Sequence, residues 1–118
     1  MPRTRELLNP GTLRHQITWQ GRTVSGQDSF GTDVSTPRDL LTCKAEVLGM
    51  QGRELIAAQQ IWADARYKIR QHYYSGLKPD MRIAWWIDGE TRVLDVLDIQ
   101  DPTGLRQVQV IYAKDHVE

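Results

Sequence analysis

The chain reads mostly as period-two alternation, the mark of strands with one face turned to a core. From about Leu13 to Gln20, Leu13, His15, Ile17 and Trp19 alternate with Arg14, Gln16, Thr18 and Gln20. Leu41 to Val47 sets Leu41, Cys43, Ala45 and Val47 against Thr42, Lys44 and Glu46. The longest alternation, Ala63 to Tyr74, puts Ala65, Tyr67, Ile69, Gln71 and Tyr73 on one face, with Arg66, Lys68, Arg70 and His72 on the other. Met81 to Ile87 and Thr91 to Ile99 flank Asp88-Gly89, a type I′ hairpin signal. Ile99 falls out of phase with Leu94 and Val96, which predicts a bulge. Asp101-Pro102-Thr103-Gly104 forms a further turn, and the last strand, Arg106 to Tyr112, is expected to turn Val108, Val110 and Tyr112 inward.

Two stretches break the alternation. Gly21 to Arg38 reads as a long polar loop with one paired segment around Val34. Leu48 to Gln60 begins with Gly49 and Gly52 and runs into the one stretch of helical spacing, where Leu55, Ala58 and Trp62 share a face. Links between strands are commonly about 2–6 residues, so this excursion reads as a projecting element used for contact. Five or six mostly antiparallel strands with one short helix predict a mainly β fold, a small closed or nearly closed barrel. The polar start, residues 1–10, reads as a flexible N-terminal arm before one barrel domain over 11–118.

With 118 residues the chain matches a single domain, and 15 basic residues balance 15 acidic ones. That balance argues against a general nucleic-acid binder, leaving only local contacts. One cysteine rules out an internal disulfide and fits a reducing compartment. The absence of a long apolar run or signal-like start predicts a soluble protein made in a cytoplasm.

Chemistry is sparse. His15, His72 and His116 lack metal-ligand spacing, and His15 shares a face with Ile17 and Trp19, as a packed imidazole does. Asp88, Glu90, Asp95, Asp98 and Asp101 make the second hairpin acidic, but turn geometry accounts for those at its ends. Cys43 lies on an apolar face and reads as a small core residue. Gly49 and Gly52 form no phosphate loop. No catalytic, metal or cofactor site is expected. The stripe Arg66, Lys68, Arg70 and His72 spans roughly 20 Å on one face and suits either a phosphate backbone or a neighbouring subunit. Trp85 and Trp86 must point to opposite faces, one to the core and one to solvent or an interface.

The order of motifs resembles that of phage head closure proteins, the head–tail joining or stopper family of long-tailed phages. Asn9-Pro10-Gly11-Thr12-Leu13-Arg14-His15-Gln16-Ile17 is similar to that family's opening, and Asp28-Ser29-Phe30-Gly31 to its Asp-x-x-Gly loop. Lys44-Ala45-Glu46-Val47, Gly52-Arg53-Glu54, Tyr67-Lys68-Ile69-Arg70, Met81-Arg82-Ile83 and Gly89 to Val96 follow in the family's order. Departures include Lys44 where the family usually has tryptophan and Tyr67 where it usually has histidine.

The resemblance implies a β-barrel virion protein of the phage neck, not an enzyme. Its copies form a homo-oligomeric ring, expected to be a dodecamer, beneath the portal and its adaptor ring. That ring retains packaged double-stranded DNA and offers a docking surface to a tail terminator or tail-completion protein. Carried over, Gly49, Met50, Gln51, Gly52 and Arg53 are the channel gate loop. Two other readings stand beside it: a nucleic-acid-binding small barrel, and a tail-completion or terminator protein of the same neck.

Overall fold

The computed structural model describes residues 13–27 and 33–116; side chains are described outside 22–27 and 33–37. The proposed N-terminal arm, residues 1–10, and the Asp28 to Gly31 loop lie outside the described residues.

Six strands close into a barrel: β1 (His15–Gln27), β2 (Asp33–Gly49), β3 (Tyr67–His72), β4 (Arg82–Ile87), β5 (Glu90–Gln100) and β6 (Val108–Asp115). The order around the barrel is β1-β2-β3-β6-β5-β4, and every neighbouring pair is antiparallel. One helix, α1 (Gly52–Ile61), interrupts the strands between β2 and β3.

Alternation fills the barrel as expected. Ile17 and Trp19 from β1, Cys43, Ala45 and Val47 from β2, Tyr67 and Ile69 from β3, and Ile83 and Trp85 from β4 meet Leu94, Val96, Ile111 and Ala113 in one cluster. His15 packs edge-on against Trp85, and its Nδ1 accepts the Val47 backbone N–H at 3.2 Å. The β4–β5 hairpin turns at Asp88 and Gly89 with φ of 52° and 77°, the two positive values that a type I′ turn needs. The bulge lies where Ile99 indicated it. Val96 pairs with Ala113 and Asp98 with Tyr112, leaving Leu97 as the extra residue.

Three expectations are corrected. Residues 21–27 and 33–38 are strand, not loop. β1 and β2 stay paired from Gln20↔Asp39 out to Gln27↔Asp33, whereas β4 leaves β1 at Gln20 and β3 meets β2 only over Glu46 to Gly49. The outer part is therefore a two-stranded ribbon extending about 20 Å past the barrel. With no sheet face packed on a core, a ribbon needs no apolar alternation, so none was there to read.

The third strand is shorter than Ala63 to Tyr74. The helix and the turn after it take residues up to Arg66, where Ala65 N–H bonds back to Trp62 O.

The last strand has the opposite phase. Gln109, Ile111 and Ala113 pair with the inward Gln71, Ile69 and Tyr67, while Val108, Val110 and Tyr112 lie on the outer side of the sheet, where Val108 and Val110 are nonetheless buried. A buried polar pair decides this. Gln71 accepts the Trp19 indole N–H at 2.9 Å and donates to Gln109 Oε1 at 3.0 Å, and Gln109 bonds both backbone groups of Tyr74. Buried amides need such partners, and turning Gln109 outward would strand Gln71.

Candidate functional site

The segment after β2 builds its geometry from two glycines and one anchor. Gly49 ends β2, and Met50 donates its backbone N–H to Arg66 O at 2.9 Å. The Met50 side chain, only 6% exposed, joins Ala58 and Ala65 in a second cluster, with Leu55, Trp62, Leu97 and Tyr112 packed around it. Gly52 opens α1 at φ +59°, a left-handed angle that suits glycine. Gln51, extended at the N-cap, makes no side-chain cap. Glu54 in the first turn complements the positive end of the helix dipole. Gly49, Gln51, Gly52 and Arg53 are exposed.

The predicted helix face is the buried one. Leu55, Ala58 and Trp62 lie against the barrel wall, and Trp62 stacks on Tyr112 with ring centroids 5.4 Å apart. Tyr112 is available because β6 turns that residue outward, and Leu97 because it is the bulge residue. Outside that face, on separate flanks of α1, Ile56 and Ile61 are 61% and 71% exposed. Their exposure was missed at the sequence level, although two isoleucines outside the Leu55–Ala58–Trp62 stripe were the available signal.

The basic stripe forms on one side of the molecule, but each of its three main cations holds a carboxylate. Arg66 Nη1 lies 2.7 Å from Asp115, Lys68 Nζ 3.2 Å from Glu54, and Arg70 Nη1 3.8 Å from Glu46. His72 is exposed at the end of β3. Partly exposed pairs like these contribute little stability, about 0–1 kcal/mol each, but they cancel the positive potential that a phosphate backbone would meet.

Three of the five acidic residues of the second hairpin, Asp95, Asp98 and Asp101, are likewise engaged. Asp95 accepts from His116 Nδ1 at 3.0 Å and faces Arg82, and Asp98 accepts the Gln100 amide. Asp101 accepts the backbone N–H groups of Gly104 and Arg106, which holds the turn where Arg106 sits at φ 57°. Among the described residues no three His, Cys, Asp or Glu side chains converge as a metal-ligand set. Burial pushes the Cys43 thiol up to about 11 from its ordinary 9.0, and its Sγ–H points to Gln71 Oε1 at 3.7 Å. The thiol stays protonated near neutrality, as a core residue rather than a nucleophile. No described helix is long and apolar enough to cross a membrane.

Trp85 is buried and Trp86 is 55% exposed, as the alternation requires.

A family model described as phage head completion protein matches residues 8–116. The chain belongs to the phage head completion protein family. The solution structure of protein SF1141 from Shigella flexneri 2a superposes on it with a TM-score of 0.74 at 24% sequence identity. That match covers 94% of this chain and 99% of the other, and it speaks to the fold. No curated protein sequence matches the chain significantly. As a phage head completion protein the chain is a component of the virion and works by contact with other head and tail proteins.

Proposed function

We propose that the chain forms a head closure, or stopper, ring beneath the portal–adaptor complex, retaining packaged DNA and presenting a docking surface to the tail. Its role is structural rather than catalytic. The observation that carries this reading is family membership over nearly the whole chain, residues 8–116. A closed barrel from which a strand ribbon and a helical excursion emerge supports it, since a ring subunit must reach its neighbours above, below and beside it.

Gly49 to Arg53 is proposed as the channel gate. Met50 anchors one side of this segment, while Gly49 and Gly52 bracket it as conformationally free positions, as hinge-type switches require. Gln51 and Arg53 are its long exposed side chains. The stripe of Arg66, Lys68 and Arg70 is assigned to subunit contacts, where its ion pairs can be exchanged for pairs with a neighbour.

The test is cosedimentation of the purified chain with the portal–adaptor complex of the same phage, with native mass measurement of the product. A ring that forms on that complex supports the reading. Association with tail tube alone would move the chain to the tail-completion role. For the gate, particles carrying Gln51→Gly with Arg53→Ala are expected to fill and then lose DNA to added nuclease, with Met50 still anchored. Full DNA retention would remove the gate from this segment.

A further inference from the structure

His15 stands where the pairing of β1 runs out. The β1–β2 ladder begins at His15↔Ala45, so Val47, two residues further along β2, lies beyond the paired part of β1. On its other side Val47 pairs with Ile69 of β3. Val47 is buried, and its backbone N–H still has an acceptor, His15 Nδ1 at 3.2 Å. A side chain thus takes the place of the missing strand residue, as a buried backbone donor requires.

That contact fixes the state of the ring. A nitrogen that accepts a hydrogen bond carries no proton, which assigns the hydrogen of neutral His15 to Nε2. Proton uptake fills Nδ1, both ring nitrogens become donors, and one N–H then faces another. The ring is confined on its inner side. It packs edge-on against Trp85 with centroids 5.4 Å apart, and Tyr67 backs the same indole at 5.6 Å.

The charges around the ring do not offset an added proton. β4 meets it with the uncharged Trp85, β3 brings the Tyr67 phenol, and β5 brings a cation, Arg92, over the Trp85 ring at 5.9 Å. Arg14 precedes it on β1. On β2, Glu46 is the partner of Arg70, and at the end of β6 Asp115 is held by Arg66. None of the ion pairs among the described residues includes His15.

The bond sits at the root of the segment that leads into α1. Only Leu48 and Gly49 separate Val47 from Met50, whose N–H is tied to Arg66 O and whose side chain is buried. Leu48 is half-exposed, and a Cβ added at Gly49 would meet nothing within 4 Å. The span is therefore pinned at its two ends, and one pin is a titratable ring.

We infer that His15 is a proton-sensitive latch on the root of the 48–53 segment: the neutral imidazole holds Val47, and the imidazolium releases it. Release frees the end of β2 on its β1 side and leaves the β3 pairs Leu48↔Lys68 and Gly49↔Tyr67 to hold it. The latch is a property of the single chain and holds whether or not this segment gates a channel.

Solution NMR of the free chain tests it between about pH 8 and about pH 5, the range over which histidines change charge. At the upper end the His15 ring nitrogens are expected to report the Nε2–H tautomer. As the ring takes up its proton, the Val47 amide is expected to follow the same titration curve. Corrected for the intrinsic rate, its hydrogen exchange is expected to rise about tenfold. His15→Gln, which cannot titrate, is expected to flatten that pH dependence. An Nδ1–H tautomer in the parent chain would overturn the inference. So would equal protection of Val47 in both ring states, or a pH dependence that persists in His15→Gln. Should His15→Gln fail to fold, the parent titration decides alone. Particles that keep their DNA with Gln51→Gly and Arg53→Ala would remove the gate but not the latch, which these measurements settle separately.

Discussion

Gln71 is a polar side chain at the centre of an otherwise apolar barrel, fully buried and fully engaged. Its carbonyl receives the Trp19 indole and the Cys43 thiol, and its amide meets Gln109. Gln71→Ala strands the Trp19 N–H and half of Gln109 while opening a cavity. It is expected to lower stability by about 2–4 kcal/mol, measured by urea denaturation. Trp85 provides the contrast, because its Nε1 is buried with no partner among the described residues. Trp19→Phe should therefore destabilise more than Trp85→Phe, although both remove the same atoms. Cys43 links the same core to pH. The unfolded thiol ionises near 9.0 and the folded one near 11, so between these values the unfolded chain sheds its proton first. Stability is then complete below about pH 9 and falls as pH rises toward 11, a loss that Cys43→Ala is expected to remove. Equal slopes for the parent and Cys43→Ala across that window would refute the link.

At the scale of elements, α1 and the bulge depend on each other. Leu97 reaches the helix because it is the unpaired extra residue of β5, and Ala58 lets the helix lie close to the wall. The entry of α1 is tuned by Gly52, whose added Cβ would meet nothing within 4 Å. Gly52→Ala therefore tests backbone strain alone. It is expected to cost about 1–2 kcal/mol from the left-handed angle, with the barrel spectrum unchanged. A neutral effect would mean that the entry turn relaxes freely. The ribbon of β1 and β2 is the complementary case. Isolated two-stranded ribbons are marginal in water, so its outer pairs are expected to exchange amide hydrogens fastest among the strands and to slow on assembly.

For the whole molecule, charge pairing decides between partners. With Arg66, Lys68 and Arg70 each held by a carboxylate, the free protein is expected to bind labelled single-stranded oligonucleotide no tighter than about 100 µM at physiological salt, read by fluorescence anisotropy. Tight binding that weakens steeply with salt would restore the nucleic-acid reading.

Local rules carried far along this chain. Period-two alternation placed Ile17, Trp19, Cys43, Ile69, Ile83 and Leu94 in the core, the Asp88-Gly89 pair located a hairpin, and the slipped phase of Ile99 located a bulge. Each of these signals is written in neighbours along the sequence, where backbone geometry acts directly. The paired ribbon, the reversed phase of β6 and the neutralised stripe were settled by residues distant in sequence. Gln109 turns inward because Gln71, 38 positions earlier, is buried beside it, and Arg66 is neutralised by Asp115, 49 positions later. The sequence by itself determined a mainly β barrel with one helical excursion, because burial alternation needs only the period of the strand. Tertiary structure alone decided which face of the last strand is inside and which carboxylates meet the basic stripe, because hydrogen bonds and ion pairs are supplied by whatever the closed barrel brings alongside.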